Sequence, residues 1–196
     1  MSLFPMFVKL EGRQCLVVGA GTIAQSKIES LLQANASVHV VAPHANEAVI
    51  GLAKKNAIRW RQKVFEPADL ENIFLAIVAT SSREVNHQAY AAAHNRNILC
   101  NVVDDPDYCD FYYPAVVRRG KLQFAISTEG NSPALAQKLR RQLETQYGPE
   151  YEQWVEELGE ARRQLFATDM DPQERRRRLH ELAGNEPIPG EVPHAR

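Results

Sequence analysis

Cysteine is scarce: Cys15, Cys100 and Cys109 are the only ones among 196 residues, and none stands in a CxxC or CxxxC pair. An odd, scattered set of thiols argues against a disulfide framework and against a cysteine zinc site. Cys15 and Cys100 lie inside apolar runs and are expected as small core residues. No stretch approaches the roughly 18 apolar residues of a membrane span. The start, Met1 to Lys9, lacks the basic end, long apolar centre and small-residue cleavage site of a secretory leader. The expectation is a cytoplasmic protein with no membrane partner. No three-ligand cluster of His, Cys and Asp is visible, so no permanent metal site is expected. Net charge is nearly absent too, at −1. The basic run Arg175–Arg178 resembles a short nucleic-acid patch, but acidic neighbours outnumber it in its segment, so a solvated helix face is expected and no nucleic-acid partner.

What is present is ordinary for a globular protein: 44% hydrophobic and 24% charged residues. The first 113 residues alternate short apolar runs with helical patterns, the signature of βαβ units feeding a parallel sheet. The runs are Cys15–Val18, Val38–Ala42, Ile58–Val64, Phe74–Ala79 and Ile98–Val103. Most are too continuously apolar for half-exposed strands and read as strands buried on both faces. Between them, 23–34, 45–56 and 83–95 carry apolar residues at helical spacing. Right-handed crossovers then give a Rossmann-type α/β sheet with its ligand site at the carboxyl ends of the strands.

The pattern changes from Tyr113 onward. Pro114-Ala115-Val116-Val117, a turn at Arg118-Arg119-Gly120-Lys121 and Leu122–Ser127 predict a hairpin; Ser132 is a good N-cap, with Pro133 at the first helical position. Leu135, Leu139 and Leu143 repeat every four residues, with Lys138 and Arg141 on another face. Residues 114–147 carry a net +4 between two acidic flanks, which suggests an anionic ligand. A strand pair and one helix cannot bury two apolar faces alone, so this segment is expected to dock on the first domain or on a second chain. Residues 148–196 are expected to be helical, with Tyr151, Trp154, Val155 and Leu158 on one face, a second helix from Asp171-Pro172, and a loose tail from Pro187.

The chemistry-bearing motif is Cys15-Leu16-Val17-Val18-Gly19-Ala20-Gly21-Thr22-Ile23-Ala24, a strand followed by GxGxxA and a helix. Gly19 allows the tight turn, Gly21 lets a pyrophosphate reach the backbone, and Ala24 lets the helix pack on the strand. The N–H groups of Thr22, Ile23 and Ala24 then face the phosphates. The plain alternative is a tight βα turn without ligand. The second strand ends in Val41-Ala42-Pro43-His44, with neither the acid that commonly binds the adenine ribose of NAD nor an adjacent arginine for the extra phosphate of NADP. NAD is therefore the expected cofactor, bordered at its adenosine by Pro43 and His44. Thr80 and Asn101, at the ends of the fourth and fifth strands, are candidate contacts on the nicotinamide side; a helix cap or a loop bond is the alternative for each.

Read in order with Asn101-Val102-Val103-Asp104, Phe111-Tyr112-Tyr113-Pro114-Ala115 and Ser127-Thr128-Glu129-Gly130-Asn131-Ser132-Pro133, the fingerprint makes the chain resemble the sirohaem-synthase dehydrogenase/chelatase family. The similarity runs from about Leu3 to Leu143. Alanine at position 20, where many relatives have a third glycine, is a tolerable departure. The resemblance implies NAD-dependent oxidation of precorrin-2 to sirohydrochlorin and, in bifunctional members, insertion of transient ferrous iron to give sirohaem. It implies a homodimer that exchanges the segment after the Rossmann domain. The methyltransferase domain fused to some members has no counterpart in these residues, so precorrin-2 is expected from elsewhere.

The resemblance maps the family's functional aspartate onto Asp104. Loss of a hydride must be accompanied by loss of a proton, and a carboxylate at a strand end in the cleft can take it; the plain alternative is that Asp104 or Asp105 only starts the turn before Pro106. The tetrapyrrole carries eight carboxylates, for which Arg118, Arg119, Lys121, Ser132, Lys138 and Arg141 are the candidate contacts. Two competing readings are an NAD-sensing Rossmann dimer without catalysis and a dehydrogenase that lacks chelation.

Overall fold

The computed structural model describes residues 3–185 and Pro187, arranged as two compact units that meet in sequence between Tyr112 and Tyr113. The tail predicted from Pro187 lies, beyond that residue, outside the described residues.

The first unit is a five-stranded parallel sheet in the order β3-β2-β1-β4-β5, built from β1 (Gln14–Val18), β2 (Ser37–Val41), β3 (Arg59–Arg61), β4 (Leu75–Val78) and β5 (Leu99–Val102). Helices α1 (Thr22–Gln33), α2 (Glu47–Lys54) and α3 (Arg83–His94) connect the strands. Alternation along the strands sorts their side chains into two cores. Cys15, Val17, Val38, Val40, Leu75 and Ile77 meet Ala24, Ile28 and Leu31 of α1 and Val49 of α2. Leu16, Val18, Val41, Ala76, Val78, Cys100 and Val102 meet Ala89, Ala92 and Ala93 of α3. Each fully buried Val, Leu or Ile contributes about 1.5–3 kcal/mol. The alanine face of α3 allows it to lie close on its strands. Asn46 and Ser82 cap α2 and α3, accepting hydrogen bonds from the N–H groups of Val49 at 2.9 Å and Val85 at 3.3 Å.

The third strand is shorter than the run 58–64 predicts. It is an edge strand of three residues, and beyond Arg61 the chain turns away, leaving Val64 exposed while Lys63 pairs with Glu66 and Asp69. Asp69 is buried and also meets Arg61 at 2.9 Å, so these cations hold the turn at 67–70 to the sheet edge.

The second unit holds an antiparallel hairpin, β6 (Ala115–Arg119) and β7 (Leu122–Ile126), followed by α4 (Pro133–Gln146), α5 (Glu150–Ala167) and α6 (Pro172–Ala183). The strand β6 runs two residues further than Val117, into the predicted turn, and the reversal takes place at Gly120-Lys121. Helices α4 and α5 pack on the hairpin, and α6 packs on α5. Their core is an aromatic series, Phe124–Tyr147–Tyr151–Trp154, with ring centroids 4.6, 5.1 and 5.4 Å apart. Ala136, not the leucine stripe, is the buried residue of α4, and Leu135 and Leu139 stay exposed. In α6, Arg177 and Arg178 bond to Glu174 and Arg175 lies over the Phe166 ring, so much of the arginine charge is spent locally. Among the described residues no helix is long and apolar enough to cross a membrane.

Candidate functional site

In a parallel sheet every strand delivers its following loop to one edge. The turns after β1, β2, β4 and β5 therefore bring Gly19–Ala24, Pro43, His44, Thr80 and Asp104 to the carboxyl edge of the first unit, with Asn101 inside the end of β5.

Gly19 has φ +110°, and a Cβ there would stand 2.3 Å from the carbonyl oxygen of Ala79, so only glycine fits. Its N–H donates to Val41 O at 2.9 Å, which ties the turn to β2. Gly21 is different: its φ is ordinary and a Cβ would meet nothing within 4 Å. That space is open above the start of α1, whose first turn has no side-chain cap and no acidic residue. The N–H groups of Thr22, Ile23 and Ala24 are thus left for an anionic ligand by a helix terminus that carries partial positive charge. Ala24 is fully buried against the sheet, so the small third position serves packing. The arrangement fits the diphosphate of a dinucleotide.

Pro43 and His44 are exposed beyond β2. Arg61 comes beside Val41 in the strand register, which the linear sequence does not reveal, but its guanidinium is engaged with buried Asp69. Thr80 turns inward on its own loop: its hydroxyl donates to Asn86 Oδ1 at 2.6 Å and accepts from the N–H of Ser82 at 3.1 Å. Asn101 is buried and its amide donates to Phe111 O at 2.7 Å and to Cys109 Sγ at 3.2 Å. Both side chains make the local bonds that stood as alternatives to cofactor contact.

Asp104 is exposed and has φ +63°, in the left-handed region that Asp tolerates better than most residues. Its neighbours in the loop are gripped. The Asp110 carboxylate accepts from the N–H of Cys100 at 2.8 Å and from Tyr90 Oη at 3.3 Å, and Asp105 is engaged with His87. Lys27 of α1 also belongs to this site, and sequence reading missed it. Its half-buried ammonium has a lowered pKa because burial disfavours the charge, while attraction to Asp104 opposes that fall. Burial pushes the Cys15 thiol up to about 11 and Cys100 up to about 12, so neither is a ready nucleophile.

Of the substrate candidates, all in the second unit, Arg119 is committed to the fold. Its Nε donates to Tyr147 O at 2.8 Å and its Nη2 to Glu144 O at 2.9 Å, satisfying carbonyls at the end of α4. Ser132 caps the start of that helix, accepting from Leu135 N–H at 3.3 Å. Lys121 is exposed, 3.6 Å from Glu156. Arg118, Lys138 and Arg141 are exposed, and the last two line one open face of α4 with Gln142, Thr145 and Gln146. Among the described residues no three His, Cys, Asp or Glu side chains group to hold a metal ion.

Two family models match this chain, one described as "Putative NAD(P)-binding" over residues 6–115 and one as "Sirohaem biosynthesis protein central" over residues 119–146. Among solved structures it is similar to SirC, precorrin-2 dehydrogenase, with a TM-score of 0.80 and 30% identity over 92% of this chain and 89% of that one. The chain belongs to the precorrin-2 dehydrogenase family of sirohaem-biosynthesis proteins. It is also 45% identical over 145 residues to siroheme synthase of Methylococcus capsulatus and 41% identical over 171 residues to that of Methylobacillus flagellatus. These matches take in 74% and 86% of this chain, which spans only 31% and 37% of those relatives. The first model ends where the parallel sheet gives way to the hairpin, and the second runs from the last residue of β6 through β7 to the end of α4.

Proposed function

We propose that this protein oxidises precorrin-2 to sirohydrochlorin with NAD. The observation that carries the reading is the likeness to a precorrin-2 dehydrogenase over nearly the full length of both chains. The glycine turn supports it from the chain's own residues.

The residues to hold the dinucleotide are Gly19, Gly21 and the N–H groups of Thr22, Ile23 and Ala24, with Pro43 and His44 beside the adenosine and Thr80 and Asn101 shaping the far side of the site. When bound, the dinucleotide supplies the hydride acceptor. Asp104 accepts at its carboxylate the proton that leaves the substrate, so the substrate gives up two electrons and two hydrogens in balance. Arg118, Lys121, Lys138 and Arg141 receive substrate carboxylates; Arg119 and Ser132 hold the elements on which they stand. Exposed Leu135 and Leu139 support a homodimer, and the three free cysteines accord with a reducing cytoplasm.

A second reading adds ferrous iron insertion, favoured by the name siroheme synthase that the relatives carry. The iron would be substrate, and Asp104 would accept pyrrole protons as it enters.

The test is to mix protein, precorrin-2 and NAD anaerobically without metal and follow NADH and sirohydrochlorin. One NADH per sirohydrochlorin, lost in Asp104→Asn, is expected. A wild-type protein that binds NAD and forms no NADH overturns the dehydrogenase reading and leaves a dinucleotide sensor; iron added to preformed sirohydrochlorin tests the second activity separately.

A further inference from the structure

Among the contacts that tie the loop after β5 to α3 is a side-chain pair that the proposed chemistry does not use. His87, on the second turn of α3, places Nε2 3.1 Å from Asp105 Oδ2, and a carboxylate can only accept there, so Nε2 carries the donated proton. The His87 ring also stacks on Tyr108 at 3.9 Å and 17°, while Tyr90 meets Tyr108 edge-on at 5.2 Å. One imidazole therefore grips the loop at two points, residues 105 and 108, immediately after Asp104.

The rest of the loop closes around the same place. Asp105 N–H donates to Val102 O at 3.2 Å, Tyr108 N–H to Asp105 O at 3.0 Å, and Cys109 Sγ to Val102 O at 3.1 Å and Asp105 O at 3.3 Å. Asp104 sits between the end of β5 and this knot, in a left-handed conformation that persists only where its surroundings over-determine it. A residue held so is a residue whose direction depends on its neighbours. We infer that His87 is a positioning residue: through Asp105 and Tyr108 it fixes the loop that aims the Asp104 carboxylate. The inference rests on Asp104 being the proton acceptor, but its structural half does not.

Cys109 offers a readout independent of activity, because its thiol is bonded inside the loop and only half-buried, whereas Cys15 and Cys100 are fully buried. In full-length protein, His87→Ala is expected to raise the labelling rate of Cys109 by a maleimide at least about tenfold, located by mass spectrometry. It should lower kcat about tenfold to hundredfold, as misplacement of a reacting group does, with KM for NAD unchanged. His87→Gln, whose amide can still donate to Asp105, should recover much of both. Unchanged labelling in His87→Ala overturns the inference, and so does faster labelling with unchanged kcat. If wild type makes no NADH, the dehydrogenase reading fails, while labelling still decides whether His87 holds the loop.

Discussion

Gly19 and Ala79 pass so closely that a methyl group on the glycine would sit 2.3 Å from the alanine's carbonyl oxygen. The nucleotide turn after β1 is thus pressed against the end of β4, and it needs φ +110° as well. Gly19→Ala should cost about 3–5 kcal/mol through combined clash and strain. Gly21→Ala should cost little, since its methyl meets nothing within 4 Å, yet that methyl would enter the space proposed for the phosphate. Urea unfolding and NAD titration together check the pair. Weak NAD binding with near-native stability in Gly21→Ala is the expected signature; a Gly21→Ala protein that binds NAD normally would remove the phosphate from this turn.

Lys27 and Asp104 give a second test. Burial lowers the Lys27 pKa and the aspartate's charge holds it up, so removing that charge must let it fall further. Asp104→Asn should leave more Lys27 as free amine in mildly alkaline solution, and acylation of Lys27, quantified by peptide mass spectrometry against other lysines, should speed up. An unchanged rate would mean that the two groups do not communicate.

The sheet is legible in the sequence because strands buried on both faces must be continuously apolar, and four of the five predicted runs begin and end within a residue or two of β1, β2, β4 and β5. The run at 58–64 overshoots because an edge strand needs pairing on one side only, and its end is set by the Lys63 and Asp69 ion pair across the following turn. Gly19 is legible because no other residue type suits its backbone. Asn101 and Arg119 announce polar chemistry, but their partners are fixed by tertiary structure, so residue type alone cannot separate a ligand contact from a loop bond; Thr80 and Ser132 bond within their own turns, and the cap at Ser132 is legible from the Pro133 that follows it. Lys27 and His87 leave no periodic trace at all; each matters through what the fold sets beside it.

Burial, with Arg59 and Arg61 nearby, lowers the pKa of His39 on β2 below its ordinary 6.5, and its Nε2 has no hydrogen-bond partner. The folded state therefore binds fewer protons at His39 than the unfolded chain does, and stability rises with pH across that window. The contribution of neutral His39 is fully present above about pH 6.5 and is lost as pH falls below it. Urea midpoints measured at pH 7.5 and 5.5 should drop on acidification in wild type and drop less in His39→Leu. Equal drops would place the acid sensitivity elsewhere.

Arg119 and the pair Lys138 and Arg141 are all cationic, but the structure gives them different surroundings. Arg119 donates to carbonyls of Tyr147 and Glu144, groups that no helical N–H can satisfy at that end of α4. Arg119→Met should lose those charge-assisted bonds and cost about 1.5–3 kcal/mol. Lys138 and Arg141 stand exposed on the open face of the same helix, where a charge contributes little to stability. Lys138→Gln with Arg141→Gln should leave the urea midpoint within experimental error while raising KM for the polycarboxylate substrate about tenfold or more, an effect that salt should mimic in wild type. If the double variant keeps the wild-type KM, that face does not bind substrate; if it unfolds early, its charges belong to the fold, as those of Arg119 do.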